Sequence, residues 1–171
     1  MDQKKAHYTG YEISARANSV AKMRSEFVDG DFNWNLGNVF YTVKQKYDKI
    51  FCHVPFGIRY PAIETHKILE ILSCENAYST RSSTSEWLFN MLINNKLKEN
   101  GKAVAFAPAR SAFGGMDRKT RKFFVDHHLI EAVIALPNRI FYSTSIYTVM
   151  FVFSHNNDKV KLIDARKFYT N

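Results

Sequence analysis

Residues 131–154 read EAVIALPNRIFYSTSIYTVMFVFS. Two β-prone apolar runs, EAVIALP and YTVMFVFS, are joined by a loop too short to hold the helical crossover that parallel neighbours need, so this pair is expected to run antiparallel. Everything upstream has a longer rhythm. KAVAFAP (102–108) reads as a buried strand between two helical segments, SEWLFNMLINNKLKENG (85–101) and the basic MDRKTRKFFVDHHL (116–129). YDKIFCHV (47–54) is apolar on both faces, the pattern of a strand covered on two sides. HYTGYEI (7–13) is a short strand ahead of SARANSVAKMRSEFVDG (14–30), where Ala17, Val20, Ala21, Met23 and Phe27 recur near helical spacing. Strands alternating with helices predict an α/β fold: a mostly parallel sheet with helices on both faces and an antiparallel strand at the end.

Finer expectations follow from turn chemistry. Gly30 stops the first helix, a short strand lies around Asn35–Tyr41, and a helix covers His66–Leu72. The run STRSSTS (79–85) is a loop ending in an N-cap. Asn100-Gly101 stops the next helix, and Ser111–Gly115 is a mobile loop after the KAVAFAP strand. VKLIDARKF (160–168) closes the chain as an edge strand or extension. In open α/β sheets the ligand site lies beyond the carboxyl ends of the strands. Glu12, His53–Gly57 and Pro108–Arg110 all fall at such ends and are expected to share one rim.

The 171 residues suit a single domain, 1–171, with room for a core. The net charge of +8 permits a polyanionic partner without requiring one. Two cysteines, Cys52 and Cys74, make no disulfide framework, and no His/Cys spacing suggests a metal. The start MDQKKAHYTGYE has no signal-peptide core, and no 18-residue apolar run spans a membrane, so a cytoplasmic location is expected. In the basic helix, Arg118, Lys119, Arg121 and Lys122 are either a phosphate-binding cluster or a solvated face over Phe123 and Phe124. His127-His128 near its end reads as a favourable interaction with the helix dipole rather than a ligand pair.

Five blocks, in order, resemble one family. These are Tyr11-Glu12-Ile13 after Gly10; HVPFG at 53–57; Ser85–Phe89 with LKENGKAVAFAP; the stretch DRKTRKFFVDHHLIEAVIALPNRIFYSTSIYTVMFVF; and LIDARKF. Together they are similar to the modification subunits of type I restriction-modification systems, which are adenine-specific (N6) DNA methyltransferases. The resemblance implies a Rossmann-like, S-adenosylmethionine-dependent methyltransferase fold. It also implies DNA as substrate and separate specificity and restriction subunits as partners. It assigns Glu12 to the cofactor ribose, Gly37 and Asn38 to the cofactor adenine, and His53, Val54, Pro55 and Phe56 to the base-binding motif. Arg110, Arg118 and Lys119 become DNA-contact candidates. For Glu12, a plain surface carboxylate is the competing reading.

The same resemblance exposes departures. The family motif is Asn-Pro-Pro-aromatic; here His53 replaces the asparagine and Val54 the first proline. The motif's side-chain oxygen and first-proline carbonyl accept hydrogen bonds from the adenine amino group, and the aromatic stacks on the extruded base. Val54 still offers its carbonyl, although valine does not fix φ as proline does. A neutral imidazole has one acceptor nitrogen and a protonated one has none, so His53 is expected to lower or abolish activity. The alternative is that His53 is only a hydrogen-bonded strand-end residue and Phe56 a packed aromatic. Asn38 stands where the family has an aspartate. No glycine-rich loop precedes Gly10, so the first strand and half of the cofactor site are expected to be missing. That gap reads most simply as a fragment of a longer chain, otherwise as completion by another polypeptide or as a rearranged sheet. It would leave strand edges open to self-association. Two functions remain: a methyltransferase domain, or a catalytically degenerate module of that fold that binds DNA or partner subunits.

Overall fold

A computed structural model describes residues 6–78, 84–141 and 144–168. The chain divides into two compact units, residues 1–45 and 46–171. Among the described residues the strands form two sheets, one of two strands and one of five.

The first unit is a β-α-β element. Strand β1 (His7–Glu12) pairs in parallel with β2 (Asp31–Leu36), and α1 (Ala15–Ser25) connects them. Helix α1 starts at Ser14, whose hydroxyl accepts from the Ala17 amide at 3.3 Å. The strand expected around 35–41 lies earlier, at 31–36, and Val39–Thr42 form a short helix, α2. The reason is local: Asn38 caps that turn through its side chain, which takes Phe40 out of the extended state. Gly10 sits opposite Trp34 across the ladder, and a Cβ there would lie 2.1 Å from the Trp34 ring. Trp34 is also held by Ser25, whose Oγ accepts from its indole N–H at 3.2 Å. Gly10→Ala is therefore expected to destabilise this unit by roughly 1–3 kcal/mol through overpacking. Faster hydrogen exchange confined to the β1–β2 amides would show it, and unchanged exchange would mean that Trp34 moves aside freely.

The second unit carries the larger sheet, ordered β3-β4-β6-β5-β7. Its strands are β3 (Tyr47–His53), β4 (Leu97–Pro108), β5 (Ile130–Ala135), β6 (Thr148–Phe153) and β7 (Lys161–Asp164). As expected, β3 runs parallel to β4 while β6 runs antiparallel to both β4 and β5. The unit also holds α3 (Ala62–Leu72), which packs on α4 (Glu86–Lys96), then α4 itself against β4, a short α5 (Arg110–Phe113) after β4, and α6 (Arg118–Asp126). The core forms where the small Ala103, Ala105 and Ala107, on one face of β4, leave room for aromatic rings. Trp87 packs edge-on against Phe124 at 5.1 Å and Phe151 at 5.4 Å.

Three further expectations change. Gly101 does not stop a helix: α4 ends at Lys96, and β4 already begins at Leu97, which pairs with Tyr47. Residues 110–113 are helical, with Ser111 fully buried, rather than a free loop. Strand β3 is not covered on both sides; it is an edge strand, and Phe51 is 74% exposed. Among the described residues β1 is likewise paired along one edge alone. Of the 79–85 loop, residues 79–83 lie outside the described residues. Ser85 does precede α4, but its hydroxyl makes no capping bond.

Candidate functional site

In the first unit, the carboxyl ends of β1 and β2 bring Glu12, Gly37 and Asn38 together. The Gly37 amide donates to the Glu12 carbonyl at 2.9 Å, which ties the two strand ends. Gly37 has φ +144, a conformation that a side chain would strain. One carboxylate oxygen of Glu12 accepts from the Ser14 amide at 2.8 Å, and the Asn38 side-chain oxygen accepts from the Phe40 amide at 3.1 Å. Both side chains are thus oriented by their own backbone. A second carboxylate oxygen and an amide NH2 remain for a ligand. That donor set fits a ribose diol beside a purine ring, the adenosine end of S-adenosylmethionine.

The second unit contains the motif. Val54 is fully buried, and its amide extends the β3–β4 ladder by donating to the Phe106 carbonyl at 3.1 Å. Beyond it the chain turns at Gly57, which has φ +72. His53 stacks on Phe56, with ring centroids 5.0 Å apart and planes 25° from parallel. Phe141 meets the imidazole edge-on at 4.7 Å, and Phe106 packs against Phe141 at 5.5 Å. The four rings form one cluster at the end of β3.

Below the turn lies a residue that sequence reasoning gave no role. Glu86, the first residue of α4, is 1% exposed. Its Oε1 accepts from the Gly57 amide at 3.1 Å and from Arg110 Nη2 at 3.2 Å. The neighbouring Ser85 amide donates to the Ile58 carbonyl at 2.9 Å. The start of α4 therefore clamps the motif turn, and one carboxylate joins the ends of β3 and β4. A glutamate in a first helical turn normally reads as a dipole partner, which hides this use. Phe106 and Phe141 were missed for a different reason, since they join the site only through folding.

Arg110 is half exposed and committed to Glu86. Arg118 and Lys119 are exposed on α6, whereas Arg121 turns inward, donating to the Ser111 carbonyl at 3.4 Å. Lys122 pairs with Asp126 one helical turn away. His127 and His128 each bond a backbone carbonyl, of Phe123 and Asn157 respectively. Burial pushes the Cys52 thiol up to about 11, as befits a packing residue beside the motif. Among the described residues, no cluster of His, Cys, Asp and Glu could hold a metal, and no helix is long and apolar enough to cross a membrane.

The N-6 DNA Methylase family model matches residues 1–171. A Type I restriction enzyme MpnII methylase subunit from Mycoplasma pneumoniae is 36% identical over 62 residues, 36% of this chain and 11% of that protein. The MjaVIII methylase subunit from Methanocaldococcus jannaschii is 29% identical over 92 residues, 51% of this chain and 16% of that protein. Among solved structures, the type I restriction-modification methyltransferase subunit from Streptococcus thermophilus superposes with a TM-score of 0.80. It is 22% identical, and the match covers 96% of this chain and 38% of that one. A class I S-adenosylmethionine-dependent methyltransferase structure from Listeria monocytogenes gives 0.78 at 18% identity, over 96% of this chain and 51% of that one. The matched region thus spans well under two thirds of the length of these relatives.

Proposed function

We infer that this chain, which belongs to the N-6 DNA methylase family, is part of an adenine-specific N6 DNA methyltransferase of the type I modification-subunit class. The observation that carries this reading is the position of His53-Val54-Pro55-Phe56 at the carboxyl end of β3, within a chain matched by the family model from end to end. Residues 1–171 belong, in this reading, to one catalytic domain; among the described residues β1 and, separately, β3 each keep an unpaired edge to which a strand of another polypeptide can add. A second copy of the chain is the alternative occupant of those edges.

Each residue group has a task. Glu12 and Asn38, beside Gly37, would hold the ribose and adenine of S-adenosylmethionine, which supplies an electrophilic methyl group. Phe56 offers a face to an adenine turned out of the duplex, and the Val54 carbonyl accepts one hydrogen bond from its amino group. His53 accepts a second only when neutral and when its acceptor nitrogen points at the amine. Arg110, Arg118 and Lys119 meet DNA phosphates, and specificity and restriction subunits assemble with the longer protein.

One observation favours the degenerate alternative, a module that binds DNA or subunits without transferring methyl groups. In this structure the His53 ring lies on Phe56 instead of leaving that face to a base. Calorimetric titration of the chain with S-adenosylmethionine separates the two. Binding followed by methyl transfer to adenine-containing DNA supports the enzyme reading, and His53→Asn is then expected to raise the rate by restoring an amide acceptor. Absence of binding at millimolar ligand would sink a self-sufficient enzyme. An unchanged or lower rate for His53→Asn would give histidine its own role.

A further inference from the structure

We propose that His53 is a built-in occupant of the base slot: in the free chain its imidazole covers the face of Phe56 on which an extruded base would stack. This rests on the reading of Phe56 as the base-stacking residue. Three observations support the occupancy. The rings stack at 5.0 Å and 25°, a geometry that base and phenylalanine would themselves adopt. Phe141 flanks the stack, edge-on to the imidazole at 4.7 Å and to Phe56 at 6.3 Å, so His53 packs into a corner formed by two aromatic rings. His53 is nevertheless solvent-exposed and ends its strand, so it can rotate outward without breaking the ladder, which continues through the Val54 amide.

The consequence is a threshold rather than a selectivity. A base binds only the fraction of molecules whose slot is open, so the apparent affinity falls by that fraction for every base alike. Adenine and thymine are penalised equally, and an abasic site is not penalised at all. Backbone contacts are common to all three and cancel in the comparison.

The test uses the full 171-residue chain and three fluorescent single-stranded oligonucleotides that differ at one central position: adenine, thymine or an abasic site. Fluorescence anisotropy gives each dissociation constant. His53→Ala is expected to tighten the adenine and thymine oligonucleotides by the same factor, roughly three- to tenfold for loss of one aromatic stack, and to leave the abasic one unchanged. Phe56→Ala should abolish the preference for a base over the abasic site. Proton NMR supplies a readout without DNA: His53 ring protons should be shifted upfield by Phe56 and Phe141, and Phe56→Ala should relax that shift. Should His53→Ala fold poorly, His53→Val replaces it, since valine suits a strand end and brings neither a ring nor a side-chain acceptor. Retained DNA binding with an unchanged base-to-abasic ratio would overturn the occupancy alone. Failure of every form to bind any oligonucleotide would overturn the DNA reading and the slot with it.

Discussion

Glu86→Ala is expected to destabilise the second unit by about 2–4 kcal/mol, which would lower the melting temperature by roughly 5–15 °C. The loss has a specific origin. Deleting the carboxylate leaves the Gly57 amide without its acceptor at a turn already held at φ +72. An orphaned donor costs about 1–3 kcal/mol when buried, and the lower end applies to the exposed Gly57, where water replaces part of the bond. Removal of a side chain only 2% exposed adds a cavity at the start of α4. Arg110 contributes less to the penalty, because its side chain is 49% exposed and water can take over its charge. Glu86→Gln discriminates between the two partners. It keeps an oxygen for the Gly57 amide and loses only the charge facing Arg110, so its cost should stay near 1 kcal/mol. Urea titration of both variants checks the order. A Glu86→Ala chain as stable as the parent would mean that the turn holds its own shape and that the clamp is incidental. If the clamp acts, the same variant also loosens Val54–Phe56, and the Phe56 preference for a base over an abasic site should weaken in parallel.

The fold was legible where local pattern and tertiary demand coincide. The short connector between β5 and β6 forces an antiparallel pair whatever else the chain does, and that pairing is observed. The helix-strand alternation from α4 to β6 is equally local. Boundaries failed where a residue has two uses. Gly101 reads as a helix stop, yet it lies in β4 against Leu97, where a Cβ would meet the Leu97 side chain at 2.7 Å. The site shows the same division. His53–Phe56 announce themselves because the motif is contiguous, and its place at a strand end follows from the apolar run before it. Glu86 could not be found in this way, since its partner Gly57 is 29 residues distant and the bond is to a backbone amide, which carries no sequence signature. The stacking of His53 on Phe56 was hidden for a third reason. Sequence shows a histidine at 53, but only geometry shows that its ring stacks on Phe56.

Trp87→Ala is expected to have the largest effect of any single replacement, a loss of about 3–5 kcal/mol. The ring is 1% exposed and meets Phe124 and Phe151 edge-on, so its removal opens a void that three elements, α4, α6 and β6, cannot close without shifting. Its indole N–H also donates to the Ser111 carbonyl at 3.1 Å, which fixes α5 one residue from Arg110. Trp87→Phe keeps a ring against Phe124 and Phe151 while losing the donor and leaving a smaller void; about 1–2 kcal/mol should go with it. Trp87 and Glu86 are neighbours in the first turn of α4, one holding α5 and the other holding both Arg110 and the Gly57 turn. Their effects should therefore not add. Once Trp87→Ala has released α5, Arg110 is no longer aimed at Glu86, and the second replacement has less left to remove. A double-mutant cycle is expected to give a coupling energy of at least about 0.5 kcal/mol. Strict additivity would mean that the core under β4 and the clamp on the motif turn are independent structures that share a helix by accident of sequence.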